Sequence, residues 1–170
     1  RGCVGIFNRS HYEEVLIVRV AKLLETRRHP RKPQHPWAER YESIRTFEKH
    51  LARSGTLILK FFLNVSRDEQ KERLLARLDD PAKNWKFEAA DLDVRDQWPQ
   101  YMKAYQEALS ATSTPWAPWY AIPADDKPYM RRSVAEVFRQ AMESLPLRWP
   151  KLRPDELARI DEWRARLEAD

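Results

Sequence analysis

The sequence predicts an α/β protein built on a parallel sheet, and three observations support this class. Strand-like and helix-like segments alternate along the 170 residues, which is the order found in parallel α/β folds. The clearest strand, residues 56–65, is almost continuously apolar, as expected where both faces of a parallel strand are covered. The length suits one domain, formed by residues 1–145, with residues 146–170 forming a linker and a terminal helix.

The first third of the chain is predicted to contain a strand and two helices. Residues 3–7 are typical of a short buried strand, and residues 10–24 follow as a helix with one apolar face. Three prolines lie within residues 26–36, so a loop is expected there. Residues 37–53 have helical periodicity, and Gly55 ends this helix.

The later elements follow the clear strand at residues 56–65. Ser66 and Glu69 are spaced as a capping box, and the helix that they begin runs to Leu78 and stops before Pro81. The remaining segments are a helix, a strand and two further helices, over residues 99–110, 119–122, 129–145 and 155–167.

Composition excludes several classes of site. The sequence has three glycines and one cysteine, which excludes a glycine-rich phosphate loop, a disulfide framework and a cysteine-based zinc site within it. Its four histidines lack the spacing of metal ligands. No apolar run approaches the ~18–20 residues of a membrane span and no secretory signal is visible, so we expect a cytoplasmic protein without a membrane partner.

Positive charge is concentrated at the start of the chain. Residues 1–60 contain 13 Lys+Arg and 6 Asp+Glu, a net charge of +7, whereas the whole chain carries +5. This distribution indicates a polyanionic partner. The cluster Arg27-Arg28-His29-Pro30-Arg31-Lys32, taken by itself, is better explained as a solvated basic loop.

Asn8-Arg9-Ser10 lies where the first predicted strand ends and a helix begins. In open α/β sheets, ligands bind at the carboxyl ends of strands, and a helix N-terminus favours an anion. The guanidinium of Arg9 matches the geometry of phosphate oxygens. The alternative is a polar turn in which Asn8 and Ser10 only cap the helix, and spacing alone does not decide between the two.

Arg19 and Glu48 are charges on the apolar faces of their predicted helices. A buried charge must be paired or neutralised. Each of them therefore belongs to a site near the strand ends, or extends to the surface, or pairs with the other across the two helices. For each residue alone a structural role is favoured, and the occurrence of two such charges strengthens the case for a site.

A second group of cations begins on the helix that starts at Ser66 and continues into the loop after it. Four cations within fourteen residues resemble a lid that closes over phosphate, with neighbouring acids as partners in the open state. An ordinary surface helix would explain the first of them but not the basic, aromatic loop. The four cations are Arg73, Arg77, Lys83 and Lys86.

Asp125 and Lys127 follow the third predicted strand and are a further candidate for the site. The alternative is a helix N-terminus with acidic residues in its first turn.

The motif Phe7-Asn8-Arg9-Ser10-His11-Tyr12-Glu13-Glu14-Val15-Leu16 resembles the polyphosphate kinase 2 family. The resemblance continues in further blocks over about residues 3–145, and together these blocks are specific. They are Arg19-Val20, Tyr41…Phe47-Glu48…Leu51, Gly55-Thr56…Lys60-Phe61-Phe62, Arg77-Leu78-Asp79-Asp80-Pro81…Lys83…Trp85-Lys86, Arg95…Trp98…Tyr101, Thr112-Ser113, Ala117-Pro118-Trp119 and Ile122-Pro123-Ala124-Asp125-Asp126-Lys127.

This resemblance implies a P-loop kinase-like fold of three α/β/α layers, with a parallel sheet and a helical lid over about residues 73–98. The implied activity is Mg²⁺-dependent transfer of phosphate between inorganic polyphosphate and a nucleotide. The family's N-terminal strand and P-loop would precede residue 1 and are expected to be missing from this chain.

The resemblance also implies the roles of individual residues. Arg9, Arg77 and Asn8 fall at catalytic positions. Many relatives carry Asp where this chain has Asn8, and an amide is a poor Mg²⁺ ligand, so the metal ligands are expected upstream and none is assigned here. The implied substrate-binding residues are Arg19, Glu48, Arg73, Lys83, Lys86, Asp125 and Lys127.

The form of the motif with Asn8 resembles the branches that phosphorylate AMP, or both AMP and ADP. The implied partners are inorganic polyphosphate and AMP, ADP or ATP; nucleic acid is not expected, and homo-oligomerisation is left open. One alternative is an ATP-dependent nucleoside monophosphate kinase, distinguished by its donor. The other is a non-enzymatic polyanion- or nucleic-acid-binding module, suggested by a pI of about 9.4 and seven tryptophans and distinguished by salt-sensitive oligonucleotide binding without turnover.

Overall fold

The computed structural model describes residues 2–26 and 34–169 of the chain. The basic cluster at residues 27–32 lies outside them. In the described residues, short 3-10 helices at His11–Val15 and Asn84–Lys86 accompany a series of α-helices and two strands. In chain order these are α1 (Ile17–Val20), α2 (Leu23–Thr26), α3 (Pro36–Arg53), β1 (Lys60–Asn64), α4 (Arg67–Leu78), α5 (Ala90–Asp96), α6 (Trp98–Thr112), β2 (Trp119–Pro123), α7 (Lys127–Ser144), α8 (Pro154–Leu157) and α9 (Ile160–Glu168).

The two strands form a parallel sheet, as the sequence predicts. Lys60 pairs with Trp119 at one end of the register, and Asn64 pairs with Pro123 at the other. Parallel neighbours require a long crossover, and here the connection contains α4, α5 and α6. The α/β class with a parallel sheet is therefore confirmed.

The predicted strand at residues 3–7 is wrong for this structure. The segment is not part of a strand, and Ile6 and Phe7 are 92% and 84% exposed. Cys3, expected in the core, is exposed as well. Among the described residues the sheet consists of β1 and β2.

The strand predicted over residues 56–65 is shorter, and its faces are less covered, than the sequence predicts. β1 begins at Lys60 rather than Thr56, and Leu57 and Leu63 are both exposed. A sheet of two strands within the described residues offers little cover on its faces, although Phe62 packs against Tyr105 of α6 with ring centroids 4.7 Å apart.

The helix predicted over residues 10–24 is divided into three short pieces. Leu16 departs from helical geometry between the first two, and Lys22 has a left-handed φ of 54° before the third. Several residues of this stretch are β-branched, which lowers helix propensity. In contrast, α3 forms close to its predicted limits, and Gly55 follows it with a φ of 87°, a conformation that favours glycine.

Ser66 caps α4, but the predicted capping box is incomplete. The Ser66 hydroxyl accepts a hydrogen bond from the backbone N–H of Glu69 at 3.1 Å. The reciprocal bond is replaced, because the Ser66 backbone N–H donates to Asp125 at 2.7 Å and the Glu69 carboxylate binds Arg73. The start of α4 is thereby connected to the residues that follow β2.

The core lies where the first 3-10 helix, α3 and α6 meet, around the buried residues Tyr12, Val15, Tyr41, Ile44 and Ala108. The chain divides into two compact units, Arg1–Ala135 and Glu136–Asp170. The boundary falls within α7, and the predicted domain limits stay a prediction. Within the described residues, no helix combines the length and apolar character needed to cross a membrane.

Candidate functional site

The Asn8-Arg9-Ser10 turn is exposed and has an unusual backbone. Arg9 has a φ of 72°, which lies in the left-handed region that costs most side chains energy. The side chain of Ser10 caps the following 3-10 helix by accepting from the N–H of Tyr12 at 3.3 Å. The Arg9 guanidinium is 78% exposed, with its Nε 3.5 Å from Glu13 Oε1. The turn thus presents a planar set of donors to solvent.

A buried polar cluster lies directly behind this turn and consists of Tyr12, Glu48, Lys60, Thr112 and Trp119. The Lys60 ammonium donates to the Tyr12 hydroxyl at 2.9 Å, to Glu48 Oε2 at 2.7 Å and to the Thr112 carbonyl at 2.9 Å. The Tyr12 hydroxyl donates to Glu48 Oε1 at 2.8 Å. Trp119 Nε1 donates to the Thr112 hydroxyl at 3.0 Å. Five elements of the fold therefore meet through one hydrogen-bonded network.

Burial and pairing act in opposite directions on the charges of the buried polar cluster. Burial alone would raise the pKa of Glu48, but His11, Lys60 and Tyr12 together hold that pKa below its usual value. Burial lowers the pKa of Lys60, and the hydrogen bond to Glu48 opposes that shift. Burial is also the main reason why the pKa of Tyr12 is raised. A buried ion pair whose groups are all hydrogen-bonded in this way has a structural role.

Glu48 is buried as its position on an apolar face predicts, but it lies at the amino end of β1 beside Lys60. Glu48 lies next to Tyr12 and His11, which directly follow the Asn8-Arg9-Ser10 turn, and its part in a site stays a prediction. Arg19 and Glu48 do not pair with each other, because Arg19 binds the Tyr41 hydroxyl at 3.1 Å and Glu107 at 2.6 Å. Each charge has its own partner on a neighbouring element.

The sequence analysis missed Lys60 and Tyr12 as members of a site. A signal was present, since Lys60 is the one charge within the predicted strand at residues 56–65. A lysine in an otherwise apolar strand must find acceptors. Thr112 is a weaker case, because a buried threonine near a helix end usually bonds its own helix, and its hydroxyl does donate to the Ala108 carbonyl at 2.6 Å.

The segment of residues 73–98 folds back on α4 through side-chain hydrogen bonds to backbone carbonyls. Arg77 donates to the Lys86 carbonyl at 3.2 Å and approaches Asp91 at 3.5 Å. Asn84 donates to the carbonyls of Arg77 and Leu78 at the end of α4. These contacts give the segment a definite conformation at the protein surface.

The two lysines predicted in this segment, Lys83 and Lys86, are exposed to solvent. Lys83 pairs with Asp80 at 2.6 Å, with the lysine side chain 53% exposed and the aspartate 38% exposed. Lys86 lies over the ring of Trp85, with its Nζ 5.1 Å from the centroid. Exposed contacts of this kind are worth little and exchange readily.

Arg73 and Asp125 meet at the carboxyl end of the sheet. Arg73 donates to the carbonyls of Ala124 and Asp125 at 2.7 and 3.0 Å. The carboxylate of Asp125 accepts from the Ser66 backbone N–H. Lys127 is the first residue of α7 and is exposed. The structure thus brings Arg73 and Asp125 together, in contacts that connect α4 to the loop after β2.

The described residues do not fit a complete metal centre. In residues 2–26 and 34–169 no three His, Cys, Asp or Glu side chains converge in a way that could hold an ion. Asp125 and Asp126 accept backbone N–H groups instead, from Ser66 and Tyr129 respectively. Mg²⁺ is usually held by one or two carboxylates together with waters and substrate phosphates, and because the carboxylates of Asp125 and Asp126 are engaged by backbone N–H groups, no step of the chemistry is assigned to a metal held by these residues.

An apolar groove of about 550 Å³ lies between β1 and α6. No residue predicted for the site lines it. Its lining residues are Phe62, Pro99, Met102, Lys103, Tyr105, Gln106 and Leu109.

By its fold the chain is a parallel α/β protein, and its exposed arginines and lysines are of the type that bind anions. The family model for polyphosphate kinase 2 matches residues 1–149, and the chain belongs to this family. The resemblance noted in the sequence is therefore confirmed.

Similar proteins of known name agree with this assignment. The chain is 51% identical over 158 residues to an ADP-polyphosphate phosphotransferase from Rhodopseudomonas palustris, covering 91% of this chain and 55% of the relative. It is 47% identical over 151 residues to an AMP/ADP-polyphosphate phosphotransferase from Meiothermus ruber, covering 89% and 54%. The chain thus spans about half the length of these relatives.

A solved structure extends the likeness to three dimensions. The crystal structure of polyphosphate kinase 2 from Arthrobacter aurescens TC1 superimposes with a TM-score of 0.85 at 42% identity. The superposition covers 99% of this chain and 56% of that chain. At this identity the two share both fold and family.

Proposed function

We propose that the complete protein containing this chain transfers phosphate between inorganic polyphosphate and a nucleotide, with AMP, ADP or both as acceptor. The observation that carries this proposal is membership of the polyphosphate kinase 2 family over residues 1–149. The names of the two relatives, an ADP-polyphosphate phosphotransferase and an AMP/ADP-polyphosphate phosphotransferase, agree with it.

The exposed Arg9 turn supplies the clearest chemistry for this function. Phosphoryl transfer depends on positioning and on charge neutralisation more than on covalent catalysis. Arg9 offers a planar, permanently charged set of donors that binds phosphate oxygens in a bidentate manner. Its ion-pair contact to Glu13 is long and solvent-exposed, so exchange for a phosphate costs little. We assign Arg9 a catalytic role, with Asn8 beside it in the turn.

The segment of residues 73–98 is proposed to act as a lid. Arg77, Lys83 and Lys86 are held by exposed or half-exposed contacts within the segment itself. A polyanion competes well for such cations, because phosphate oxygens make stronger charge-assisted hydrogen bonds than backbone carbonyls do. Closure over the phosphates would exclude water, which otherwise hydrolyses the donor.

The other predicted residues support the site from behind. Arg73 and Asp125 connect α4 to the loop after β2, and Lys127 begins α7 beside that loop. Arg19 and Glu48 are committed to neighbours in the core. For these five we propose a supporting role near bound substrate, and Lys127 is exposed to solvent.

Several finer features are part of the proposal and rest on the family. They are the P-loop kinase-like arrangement of three layers, the dependence on Mg²⁺ and the cytoplasmic location, whereas homo-oligomerisation stays open. The described residues supply no metal centre of their own, so the ligands of a divalent cation would come from outside them and from the substrate phosphates.

The test supplies polyphosphate and Mg²⁺ to the complete protein with AMP or ADP separately and resolves the products. We expect ADP from AMP and ATP from ADP, with both lost on chelation of the metal. Product from ADP alone would correct the acceptor. Use of ATP but not polyphosphate to phosphorylate a nucleoside monophosphate would favour an ordinary nucleotide kinase. Residues 1–170 alone, which contain no Gly-x-x-x-x-Gly-Lys sequence, are expected to be inactive.

A further inference from the structure

The buried polar cluster lies against the Arg9 turn, and none of its groups is proposed to contact the transferred phosphate. We propose that this cluster fixes the position of the Asn8-Arg9-Ser10 turn, and that Tyr12 and Lys60 are positioning residues for the reaction. The inference rests on the proposed function and concerns how the catalytic arginine is held.

The geometry of the Lys60 ammonium leaves it no freedom. An ammonium has three donors, and here each has one acceptor, supplied by Tyr12, Glu48 and Thr112. The acceptors come from the first 3-10 helix, from α3 and from the end of α6. Lys60 itself lies on β1. One charged group therefore sets the distances between four elements.

The Tyr12 hydroxyl is held in both of its hydrogen-bonding directions. It accepts from Lys60 and donates to Glu48, while its ring packs edge-on against Trp119 with centroids 4.8 Å apart. Apolar packing alone would allow the ring to slide along its neighbours. Two directional bonds at its tip define where the side chain, and the backbone that carries it, must lie.

Tyr12 transmits this position to the turn over a very short distance. Its backbone N–H donates to the Ser10 hydroxyl, and the N–H of Glu13 donates to the Ser10 carbonyl at 3.1 Å. Arg9 precedes Ser10 with a left-handed backbone that the surroundings must enforce. The 3-10 helix at His11–Val15 has only five residues, too few to hold this geometry by its own backbone bonds.

A role in stability alone would not require these charges. Replacing a buried ion pair by apolar residues of similar size is often neutral or stabilising, whereas removing one partner is destabilising. Misplacing a catalytic group by about 1 Å can reduce turnover ~100-fold. The two roles therefore predict different behaviour for a variant in which the whole cluster is made apolar.

The experiment compares the complete wild-type protein with the triple variant Tyr12→Phe/Glu48→Leu/Lys60→Met. Ile44→Val is the matched control, because Ile44 is buried on the same helix as Glu48 and belongs to the apolar core that contains Tyr12. Thermal unfolding, polyphosphate-dependent kcat and KM, and calorimetric binding of inorganic tripolyphosphate are measured for each. Should the triple variant not fold, Tyr12→Phe, which removes a single hydroxyl, takes its place.

We expect the triple variant to unfold cooperatively at a temperature close to that of wild type, with kcat and kcat/KM falling together by about tenfold or more. The control should keep wild-type kinetics. Wild-type turnover in a folded triple variant, or in Tyr12→Phe where that is used, would overturn the inference and leave the proposed function standing. A wild-type protein that neither turns over polyphosphate nor binds tripolyphosphate would overturn the proposed function itself.

Discussion

Two carboxylate–lysine pairs in this protein have nearly the same geometry and opposite surroundings. Glu48 and Lys60 are 2.7 Å apart with side chains 3% and 8% exposed, whereas Asp80 and Lys83 are 2.6 Å apart with side chains 38% and 53% exposed. In both pairs the lysine helps to lower the pKa of the carboxyl group. Contact distance therefore does not distinguish them.

The two pairs differ in their exposure to solvent, and this difference decides whether the lysine can exchange its carboxylate for another partner. In water the attraction between unit charges about 4 Å apart is only ~1 kcal/mol, and it rises several-fold as the surroundings become less polar. The buried pair cannot exchange partners without leaving a charge desolvated. The exposed pair can, so Lys83 is available to a phosphate in a way that Lys60 is not.

The largest expected effect comes from removing one member of the buried pair. Lys60→Met leaves Glu48 buried without its cation, and we expect the free energy of unfolding to fall by about 3–5 kcal/mol. Lys83→Met is the matched control on the exposed pair and should leave unfolding unchanged. Urea denaturation followed by fluorescence measures both. Equal losses in the two variants would contradict the contrast between buried and exposed pairs.

The next effect concerns an exposed arginine that is not committed to the fold. Arg9→Ala should reduce polyphosphate-dependent turnover of the complete protein more than about tenfold while the protein stays folded, because a charge-assisted contact to phosphate is lost. Arg9→Lys should restore only part of the activity, since lysine lacks the planar pair of donors.

A surface arginine elsewhere serves as the control for Arg9. Arg139 is also exposed and pairs with two acids of its own helix, Glu136 and Glu143. Arg139→Ala should keep full turnover in the same steady-state assay. Unchanged kinetics in Arg9→Ala would place Arg9 outside the site.

Acid should act on the two carboxylates differently. Because the pKa of Glu48 is lower in the folded protein, its stabilising contribution is fully present above its ordinary value of 4.5 and is lost as the pH falls through the folded value. We expect the free energy of unfolding to decrease from about pH 6 to pH 3, and this decrease to be smaller in the triple apolar variant.

Asp80→Asn tests the other half of that expectation. The pKa of Asp80 is also lowered, chiefly by Lys83, but the pair is screened by solvent. The acid profile of Asp80→Asn should therefore superimpose on that of wild type. A clear loss of acid sensitivity in this variant would mean that the exposed pair also supports the fold.

The smallest effect is a change in protection without a change in stability. Hydrogen exchange in residues 73–98 should slow when nucleotide and polyphosphate bind together, because closure replaces solvent contacts by phosphate. Exchange in α3 and β1, which carry the buried pair, should stay unchanged. Equal exchange in the segment with and without ligands would refute the lid.

The sequence predicts the long elements of this fold well and the marginal ones poorly. α3, α4, α6, β2 and α7 are found at or near their predicted limits, since each has a clear period or a strong stop such as Gly55, and β1 is found where a strand is predicted but is shorter. Residues 3–7 fail because a strand is defined by its neighbour, and its own pattern cannot supply one. The helix predicted over residues 10–24 fails because β-branched residues weaken a periodic pattern.

The candidate site shows the same division between local and distant information. The Arg9 turn and the cations of residues 73–98 are apparent from local sequence, and their roles stay predictions. That Glu48 is buried follows from its helix face, but its partner does not. Lys60 lies twelve residues away and Thr112 a further fifty-two, and only the packing of α3, β1 and α6 brings them together.

The parallel pairing of β1 and β2 has a consequence for how the chain acquires its structure. The whole stretch between Asn64 and Trp119, including the proposed lid, is a loop that must close before any ladder bond between the strands can form. Closing so long a loop is entropically unfavourable, and contacts distant in sequence slow folding. The bonds at its neck, from Ala124 to the Asn64 carbonyl and from Ser66 to Asp125, are therefore expected to form late. Lengthening the loop within residues 79–89 should retard refolding while hardly affecting the rate at which the finished sheet opens.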